Sequence, residues 1–446
     1  MSSLRFLVDL TTSRAYKGVN PVGIVRTERE IGKALLASNH EVEFFFFNPD
    51  TKEFLLISRH EATNILGETK DNETGFRSKC FDLKAPEVTP DIAEDSDLRL
   101  FLGRVSRCIV QRRDLNKLDG TSIPVVAKHL EFFDGDVLIS AGLLWDGDYL
   151  KIIYTIKQKT RLFLAQIIYD IVPVLIPEFC VPGMNTRFPK FLLDAAWTAD
   201  ALYCISDSTL HDVDTFLQRH SLPVPGLHRI ELGVDLVQQH EPTPKISNSL
   251  KPNDFIVYVS TIEPRKNHIM LFHVWRQLYQ TDRDKLIPLV IVGRQGWNSS
   301  DLINMITAAE HLYPNYIQIM TDVSDAQLDW LYRNSRFTVY PSLYEGWGLP
   351  VAESLARGKF CITADTSSMP EVACGLAELI DPLDFAAWTK SVRHFLVTPQ
   401  DILTREQNIR SSYTHVSWTA AMDKFVISIT DVATKGQKDP TYGSEY

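Results

Sequence analysis

The chain of 446 residues lacks any uninterrupted apolar run that approaches the ~18 residues needed to span a bilayer. Its six cysteines are scattered, without a CxxC pair or a nearby histidine at metal-binding spacing. This scatter argues against a disulfide framework or a zinc site and favours free thiols in a reducing compartment. The N-terminal segment MSSLRFLVDLTTSR also lacks the basic start and long apolar stretch of a signal peptide. Together these absences predict a cytoplasmic protein.

An excess of basic residues is missing as well. The chain carries 46 lysines and arginines against 56 aspartates and glutamates, for a formal net charge of -10. Because a nucleic-acid partner needs a basic face, this balance argues against nucleic acid as the main partner. The hydrophobic fraction of 44% is ordinary for a globular protein, and the length favours two domains over one core.

The first half of the chain alternates between predicted strands and helices. LRFLVDL (4–10) and EVEFFFFNP (41–49) are short aliphatic and aromatic runs that predict buried strands. Between them, IVRTEREIGKALLASN (24–39) has apolar residues at helical spacing. Further strands, each followed by a turn or a helix start, are predicted in DVLISAG, TRLFLAQIIYDIVPV and DALYCISDSTLHDVDTFL. This order is typical of a parallel α/β sheet.

A polar, proline-rich stretch, VQQHEPTPKISNSLKPND (237–254), predicts an interdomain linker. A second series of predicted strands follows it, in FIVYVST, LIPLVIVG, YIQIM, RFTVYPS, KFCITAD and LAELID. We therefore predict an α/β fold with two Rossmann-like, doubly wound domains facing a cleft, over residues 1–240 and 241–417. Ligands of such sheets bind beyond the carboxyl ends of the strands, so functional residues are expected there.

Two such strand ends carry weak signals. FIVYVST leads into IEPRKNH, where the adjacent cations Arg265 and Lys266 suit a diphosphate. Taken alone, a solvated loop at a helix start explains this pair equally well. LVIVG runs into RQGW, where Gly293 and Gly296 flank a tight turn, and any strand-to-helix turn can show such a pattern.

The third strand end, YPSLYEGWGLPVAESLARGK (340–359), is the most informative. The strand is followed by the loop LYEGWG and by a predicted helix with Pro350 at its first position. The helix N-terminus offers free N–H groups to an anion. Glu345 precedes the helix and Glu353 lies within it, at most ~12 Å apart if the segment is helical. Both carboxylates can therefore border one pocket and accept hydrogen bonds from vicinal diols. The alternative is a loop carboxylate and a partner of the helix dipole.

The segment EGWGLPVAE resembles the E-x7-E motif of the retaining glycosyltransferases of family 4, which have the GT-B fold. STIEPRKNH is similar to the pyrophosphate loop of that family, and LVIVGRQGW resembles the strand and turn that follow it. MTDVSDAQLDWLYRNSRFTVYPSLYEGWGLP is similar to the nucleotide-binding run. The N-terminal half shows a looser likeness in GIVRTEREIGKALL, YDIVPVLIPEF and CISDSTLHDV. SWTAAMDKFVISI resembles the last helix of the fold, which implies that residues 418–446 cross back to the N-terminal domain.

The resemblance implies that the C-terminal domain holds a nucleotide-sugar donor and that the N-terminal domain holds most of a saccharide acceptor. Glu353 would bind the ribose hydroxyls of the nucleotide. Glu345, with the backbone N–H groups of Gly348 and Leu349, would orient the donor sugar and its phosphate.

The resemblance also implies roles for the two cations and for three further positions. Arg265 and Lys266 would stabilise the charge that grows on the leaving diphosphate. Gly23 would let the start of the first helix approach that phosphate. The backbone near Val323 would contact the base, and Gly293 would lie in the donor-binding turn.

The implied mechanism is front-side displacement with retention of configuration, without a metal cofactor. The two DGD triplets, at 134–136 and 146–148, lack the surrounding pattern of a metal site and are interpreted as turns. Family members often have a histidine where this chain has Tyr169, so Tyr169 is assigned no catalytic role. Asp170 keeps the family pattern and is predicted either to orient or deprotonate the acceptor hydroxyl or to cap the following turn.

The basic segment 99–117, together with Lys157, Lys159 and Arg161, has two interpretations. It forms either a helix that contacts anionic lipid at the inner membrane surface, which suits a lipid-linked acceptor, or a solvated helix with one core face.

The leading hypothesis is a metal-independent hexosyltransferase of surface polysaccharide biosynthesis, and general similarity suggests GDP-mannose as its donor. A soluble disaccharide synthase of the same fold and a catalytically silent binding subunit are the alternatives. The presence of Glu345, Glu353, Arg265 and Lys266 argues against the silent subunit.

Overall fold

The computed structural model describes residues 4–17, 23–67, 128–145, 147–236 and 250–438. The basic segment 99–117 and most of the predicted linker, including the predicted boundary at 240/241, lie outside these residues. Of the cysteines, Cys180, Cys204, Cys361 and Cys374 are described, and all four are free thiols. Within the described part of the chain, no helix has both the length and the apolar character needed to cross a membrane.

The N-terminal domain is built on a sheet whose described strands are ordered β3-β2-β1-β4-β5-β6-β7. These are β1 (Arg5–Asp9), β2 (Glu41–Asn48), β3 (Glu53–Ile57), β4 (Val137–Ser140), β5 (Phe163–Ile168), β6 (Ala201–Cys204) and β7 (Gly226–Arg229). Neighbouring strands are parallel except for β3, which runs antiparallel to β2 at the edge. The central strands β4 and β5 are buried along their whole length, as expected for parallel strands with helices on both faces.

The C-terminal domain is built on a second sheet, with the described order β10-β9-β8-β11-β12-β13. Its strands are β8 (Ile256–Val259), β9 (Leu289–Val292), β10 (Ile317–Met320), β11 (Thr338–Tyr340), β12 (Cys361–Ala364) and β13 (Glu378–Ile380), all parallel to their neighbours. The order reverses between β8 and β11. The crevice beyond the carboxyl ends of two such strands is the usual ligand site of a doubly wound sheet.

Helices connect the strands of both sheets. Those of the N-terminal domain are α1 (Thr11–Ala15), α2 (Ile24–Ala37), α3 (Arg59–Gly67), α4 (Tyr149–Lys157), α5 (Val172–Leu175), α6 (Met184–Thr198) and α7 (Asp207–Arg219). Those that follow are α8 (His268–Thr281), α9 (Ser300–Ala308), α10 (Asp325–Asn334), α11 (Leu349–Ala356), α12 (Met369–Ala373), α13 (Phe385–Val397), α14 (Pro399–Ser412) and α15 (Trp418–Lys438). Single 3-10 turns lie at Pro177–Phe179, Pro264–Lys266 and Arg283–Lys285.

The last helix, α15, belongs to the core of the N-terminal domain although it follows the C-terminal domain in sequence. Trp418, Met422 and Phe425 are buried in a cluster with side chains of β1, β4 and β5. At the crossing point, the Val234 N–H donates to the Val416 carbonyl at 2.8 Å. The chain therefore passes twice between the two domains.

The predicted fold class, two doubly wound α/β domains, is confirmed. The edge strands β3 and β7 were not predicted. β7 is short and only partly buried, so it lacks the continuous apolar run of a central strand. β3 does contain such a run, FLLI at 54–57. Pro350 occupies the second rather than the first position of its helix, because α11 begins at Leu349.

We expect α15 to stabilise the N-terminal domain through its buried face. Phe425 is 3% exposed and meets the Tyr203 ring edge-on at a centroid distance of 5.0 Å, whereas Ile427 of the same helix is 70% exposed. Phe425→Ala should lower the free energy of unfolding by about 3–5 kcal/mol, because it leaves a cavity. Ile427→Ala is the control and should change it by less than about 0.5 kcal/mol. Urea denaturation measures both, and equal effects would contradict this packing.

Candidate active site

Two loops at the point where the second sheet reverses its order bring Arg265, Lys266 and Glu345 together. The loop after β8 forms a 3-10 turn that carries Arg265 and Lys266. The loop after β11 carries Glu345 and ends at Gly348, whose left-handed backbone, with φ of 106°, starts α11. The two loops are joined directly, since the Leu343 N–H donates to the Arg265 carbonyl at 2.9 Å.

Glu345 lies between the two cations. One carboxylate oxygen is 2.9 Å from Arg265 Nη1 and the other is 2.5 Å from Lys266 Nζ. All three side chains are largely buried, with exposed fractions of 14% or less. Buried charges are tolerated only when they are paired and hydrogen-bonded, and this arrangement satisfies that condition. We call these three residues the ionic triad.

The ionic triad perturbs the protonation of each of its members. Burial favours the neutral form of Glu345, but Arg265 and Lys266 outweigh it and hold the pKa of this carboxyl at about 2. Burial and the neighbouring Arg265 lower the pKa of Lys266. For Arg265, burial is outweighed by the carboxylates of Glu345 and Glu263, and the pKa is raised. The carboxylate is therefore ionised throughout the physiological range.

Sequence reasoning missed two residues that support the triad. Glu263 is 2% exposed, and its carboxylate lies 2.7 Å from Arg265 Nη2. The Tyr340 hydroxyl donates to Glu345 at 3.0 Å and accepts from Lys266 Nζ at 3.1 Å. The sequence positions of both residues could have indicated this role. Glu263 lies two positions before Arg265, and Tyr340 is the last residue of β11, just before the loop that carries Glu345.

Glu353 lies apart from the triad, within α11. Its carboxylate accepts a hydrogen bond from the Tyr332 hydroxyl at 2.9 Å. Arg26 of α2 approaches the other carboxylate oxygen to 4.0 Å, and its guanidinium lies 5.5 Å from the ring centroid of Trp418. Glu353 is 15% exposed and thus reaches solvent at the side of the C-terminal domain that meets α2.

Asp170 approaches the triad from the N-terminal domain. It follows β5, and its carboxylate accepts the Val172 N–H at 3.0 Å, so it caps the following turn. Burial raises the pKa of Asp170, and the positive charge of Arg265 opposes this effect. The neighbouring Tyr169 donates its hydroxyl proton to the Ala141 carbonyl at 2.7 Å.

The two domains are in close contact at Gly346. A Cβ atom there would lie 2.0 Å from the Tyr169 carbonyl oxygen and 3.2 Å from Asp170 Cβ. Only glycine therefore allows the loop that carries Glu345 to contact the end of β5. This contact brings Asp170 into the same cleft as the ionic triad.

The remaining predicted positions have the following surroundings. Gly23 is the N-cap of α2, with φ of 52° and open space around it. A Cβ atom at Gly293 would lie 1.8 Å from the Ser260 carbonyl oxygen, so this glycine serves the packing of β9 against β8. Val323 packs partly on the core beside β8 and β9, and Leu349 packs partly on the core of the N-terminal domain.

The DGD triplets supply structural ion pairs. Asp136 lies 3.0 Å from Arg5, and Asp148 lies 2.6 Å from Lys52. Asp146 is outside the described residues. Across the described ranges, no group of three or more His, Cys, Asp or Glu side chains is arranged to hold a metal ion.

Comparison with known proteins gives the site a family context. Residues 240–411 match the family described as "Glycosyl transferases group 1". The chain is 29% identical over 222 residues to the "Serotype-specific mannosyltransferase WbdA" of Escherichia coli, covering 47% of this chain and 27% of the relative. It is 32% identical over 152 residues to the "O-antigen chain mannosyltransferase B" of Escherichia coli, covering 34% of this chain and 38% of the relative. The chain thus matches well under half of the length of these two relatives.

Among solved structures, the sucrose-phosphate synthase of Thermosynechococcus elongatus has the same architecture. The TM-score is 0.58 at 14% sequence identity, and the match covers 97% of this chain and 100% of the other. An identity this low establishes the GT-B fold alone.

The ionic triad generates a prediction for acid stability. The pKa of Glu345 in the folded state, about 2, lies below its ordinary value of 4.5. Between these two pH values the folded state therefore binds fewer protons than the unfolded state. The stabilisation is complete above pH 4.5 and is lost as the pH falls toward 2. The difference in unfolding free energy between wild type and Glu345→Gln should shrink by on the order of 2 kcal/mol between pH 6 and pH 3. Urea denaturation at both values measures it, and a constant difference would argue against the pairing.

Proposed function

We propose, from the match of residues 240–411 to the family described as "Glycosyl transferases group 1", that the protein is a retaining glycosyltransferase. It transfers a hexosyl group from a nucleotide sugar to a saccharide acceptor. The observation that carries the proposal is the ionic triad near the N-terminus of α11. The triad faces the end of β5 across the cleft.

The donor diphosphate binds to Arg265 and Lys266 and competes with Glu345 for their N–H donors. When the bond between the anomeric carbon and the diphosphate oxygen breaks, the electron pair stays on the diphosphate, and both cations stabilise this charge. The backbone N–H groups of Gly348 and Leu349 bind the same phosphates, as free N–H groups at a helix start do. Glu345, released from part of its ion pairs, accepts hydrogen bonds from the sugar hydroxyls.

The acceptor hydroxyl attacks the anomeric carbon from the face that the diphosphate leaves, and this geometry retains the configuration. Its proton passes to Asp170, whose raised pKa makes the carboxylate a stronger base than an ordinary aspartate. The contact of Gly346 with Tyr169 supports this assignment, because it holds Asp170 at the edge of the triad.

The nucleotide occupies the C-terminal side of the cleft in this proposal. Glu353 accepts hydrogen bonds from the ribose hydroxyls, and the backbone near Val323 contacts the base. Gly23 lets the start of α2 approach the donor phosphate. Gly293 takes part through the close packing of β8 and β9 rather than through a direct contact.

We further propose that the donor is GDP-mannose and that the product is part of a surface polysaccharide. The names of the two relatives support this choice, since both are mannosyltransferases and one acts on O-antigen chains. A lipid-linked acceptor and contact with the inner membrane surface belong to the same proposal. Lys157 does not contribute to such a contact, because it lies 2.5 Å from Asp200.

The first test is turnover with a panel of GDP, UDP, dTDP and ADP sugars, chosen by the thermal stabilisation that each produces. Arg265→Ala and Lys266→Ala should each lower kcat by about 100-fold or more, because the leaving diphosphate loses a preorganised charge. Activity should persist in EDTA, because the protein cations neutralise the diphosphate. Circular dichroism establishes that each variant is folded.

Arg393→Ala is the matched control, since it removes a partly buried ion pair of 2.9 Å with Asp282 in the same domain. Its turnover should equal that of the wild type. Unchanged kcat in both triad variants would refute the diphosphate assignment. Loss of activity in EDTA would refute the metal-independent scheme, and neither binding nor hydrolysis of any donor would point to a silent binding subunit.

The second test concerns Glu353 and the ribose. Wild type should bind GDP about 10- to 100-fold more tightly than 2′,3′-dideoxy-GDP, because charge-assisted hydrogen bonds to the hydroxyls are lost. In Glu353→Gln this ratio should fall toward about one, which makes the comparison a double-mutant cycle. Isothermal titration calorimetry measures all four constants, with Glu378→Gln as a control that should keep the wild-type ratio. If Glu353→Gln keeps the wild-type ratio of the two affinities, another residue binds the ribose.

A further inference from the structure

The segment 366–371, which follows β12, contacts the loop of Glu345 through two serines. The Ser367 hydroxyl accepts the Glu345 N–H at 2.9 Å. The Ser368 hydroxyl donates to the Glu345 carbonyl at 3.0 Å and to the Trp347 carbonyl at 2.6 Å. The backbone N–H and the backbone carbonyl of Glu345 are thus both hydrogen-bonded to one short segment.

Three residues further on, the same segment reaches the N-terminal domain. The two carboxylate oxygens of Glu371 accept the Asp207 N–H at 3.2 and 3.0 Å, at the start of α7. One of these oxygens also lies 2.8 Å from Arg229 Nη2. A carboxylate is favoured at this position, because the helix start carries partial positive charge and free N–H groups.

Arg229 closes a ring of contacts back to the Glu345 loop. Its guanidinium lies 5.6 Å from the ring centroid of Trp347, and Trp347 packs partly on the cores of both domains. Contacts therefore run from Glu371 to Arg229, from Arg229 to Trp347, and from the Trp347 carbonyl to Ser368. We call Glu371, Arg229 and Trp347 the interdomain latch.

Two further contacts join the Glu345 loop to α7. The Thr209 hydroxyl donates to the Gly346 carbonyl at 3.3 Å. The Tyr344 hydroxyl donates to the Asp212 carboxylate. The loop that carries a member of the ionic triad is thus also part of the domain interface.

We propose that Glu371 is a positioning residue that couples the contact between the two domains to the placement of Glu345. Arg229 and the start of α7 hold Glu371, and Ser367 and Ser368 transmit this restraint to the Glu345 backbone. Loss of the contact frees the segment and loosens the loop. The effect on turnover rests on the proposed function, whereas the coupling itself does not.

Hydrogen–deuterium exchange of the full chain tests the coupling without any assay of activity. Glu371→Gln keeps the side-chain shape and removes the charge, and amides at 343–348 should then exchange about tenfold faster, the factor that corresponds to about 1.4 kcal/mol. Arg229→Gln should produce a similar increase, and the double variant should add little, because both changes remove one shared interaction. Glu378→Gln is the control, since its ion pair of 2.7 Å with Arg405 lies within the C-terminal domain. It should leave the exchange at 343–348 unchanged.

Faster exchange at 205–209 without a change at 343–348 would overturn the proposal, because Glu371 would then join the domains without positioning the loop. Unchanged exchange at both segments would also overturn it. In the active enzyme, Glu371→Gln should lower kcat about tenfold and change the donor KM less than twofold. Absence of transferase activity in the wild type would refute the proposed function. The hydrogen–deuterium exchange experiment would still test the coupling, because it does not depend on activity.

Discussion

The burial of one carboxylate between two cations is the constraint on which the rest of the site depends. Glu345, Arg265 and Lys266 are charges withdrawn from water, and any one of them without its partners would be strongly destabilising. Their pairing fixes the loop after β8 against the loop after β11. The second loop in turn fixes where α11 begins, so one electrostatic requirement determines the positions of the cations, the carboxylate and the helix N-terminus.

The same loop also forms the contact between the domains. Gly346 touches the end of β5 at the Tyr169 carbonyl, and Trp347 packs partly on both cores. A protein that binds a donor in one domain and an acceptor in the other must bring both to a single point. The proposed function places the donor beside the same short segment that forms the interface. The interdomain latch extends the same principle to the segment that follows β12.

Each of the two glutamates of the motif has a cation beside it. Glu345 pairs with Arg265 and Lys266, and Arg26 lies 4.0 Å from Glu353. Glu353 lies on the side that meets α2, where its carboxylate accepts a hydrogen bond from the Tyr332 hydroxyl. The E-x7-E spacing places the two glutamates in different surroundings, because one carboxylate precedes the helix and the other lies within it.

The sequence alone determined the two α/β domains and the strand ends that carry Arg265, Lys266, Glu345 and Glu353, because buried parallel strands and helix starts leave local patterns. It did not predict the edge strands β3 and β7, the pairing of Glu263 with Arg265, or the packing role of Gly293. The tertiary structure alone placed Glu371 against Arg229, since 142 positions separate them in the chain. Contacts of that kind depend on how the two domains pack against each other, and no local periodicity in the sequence encodes that packing.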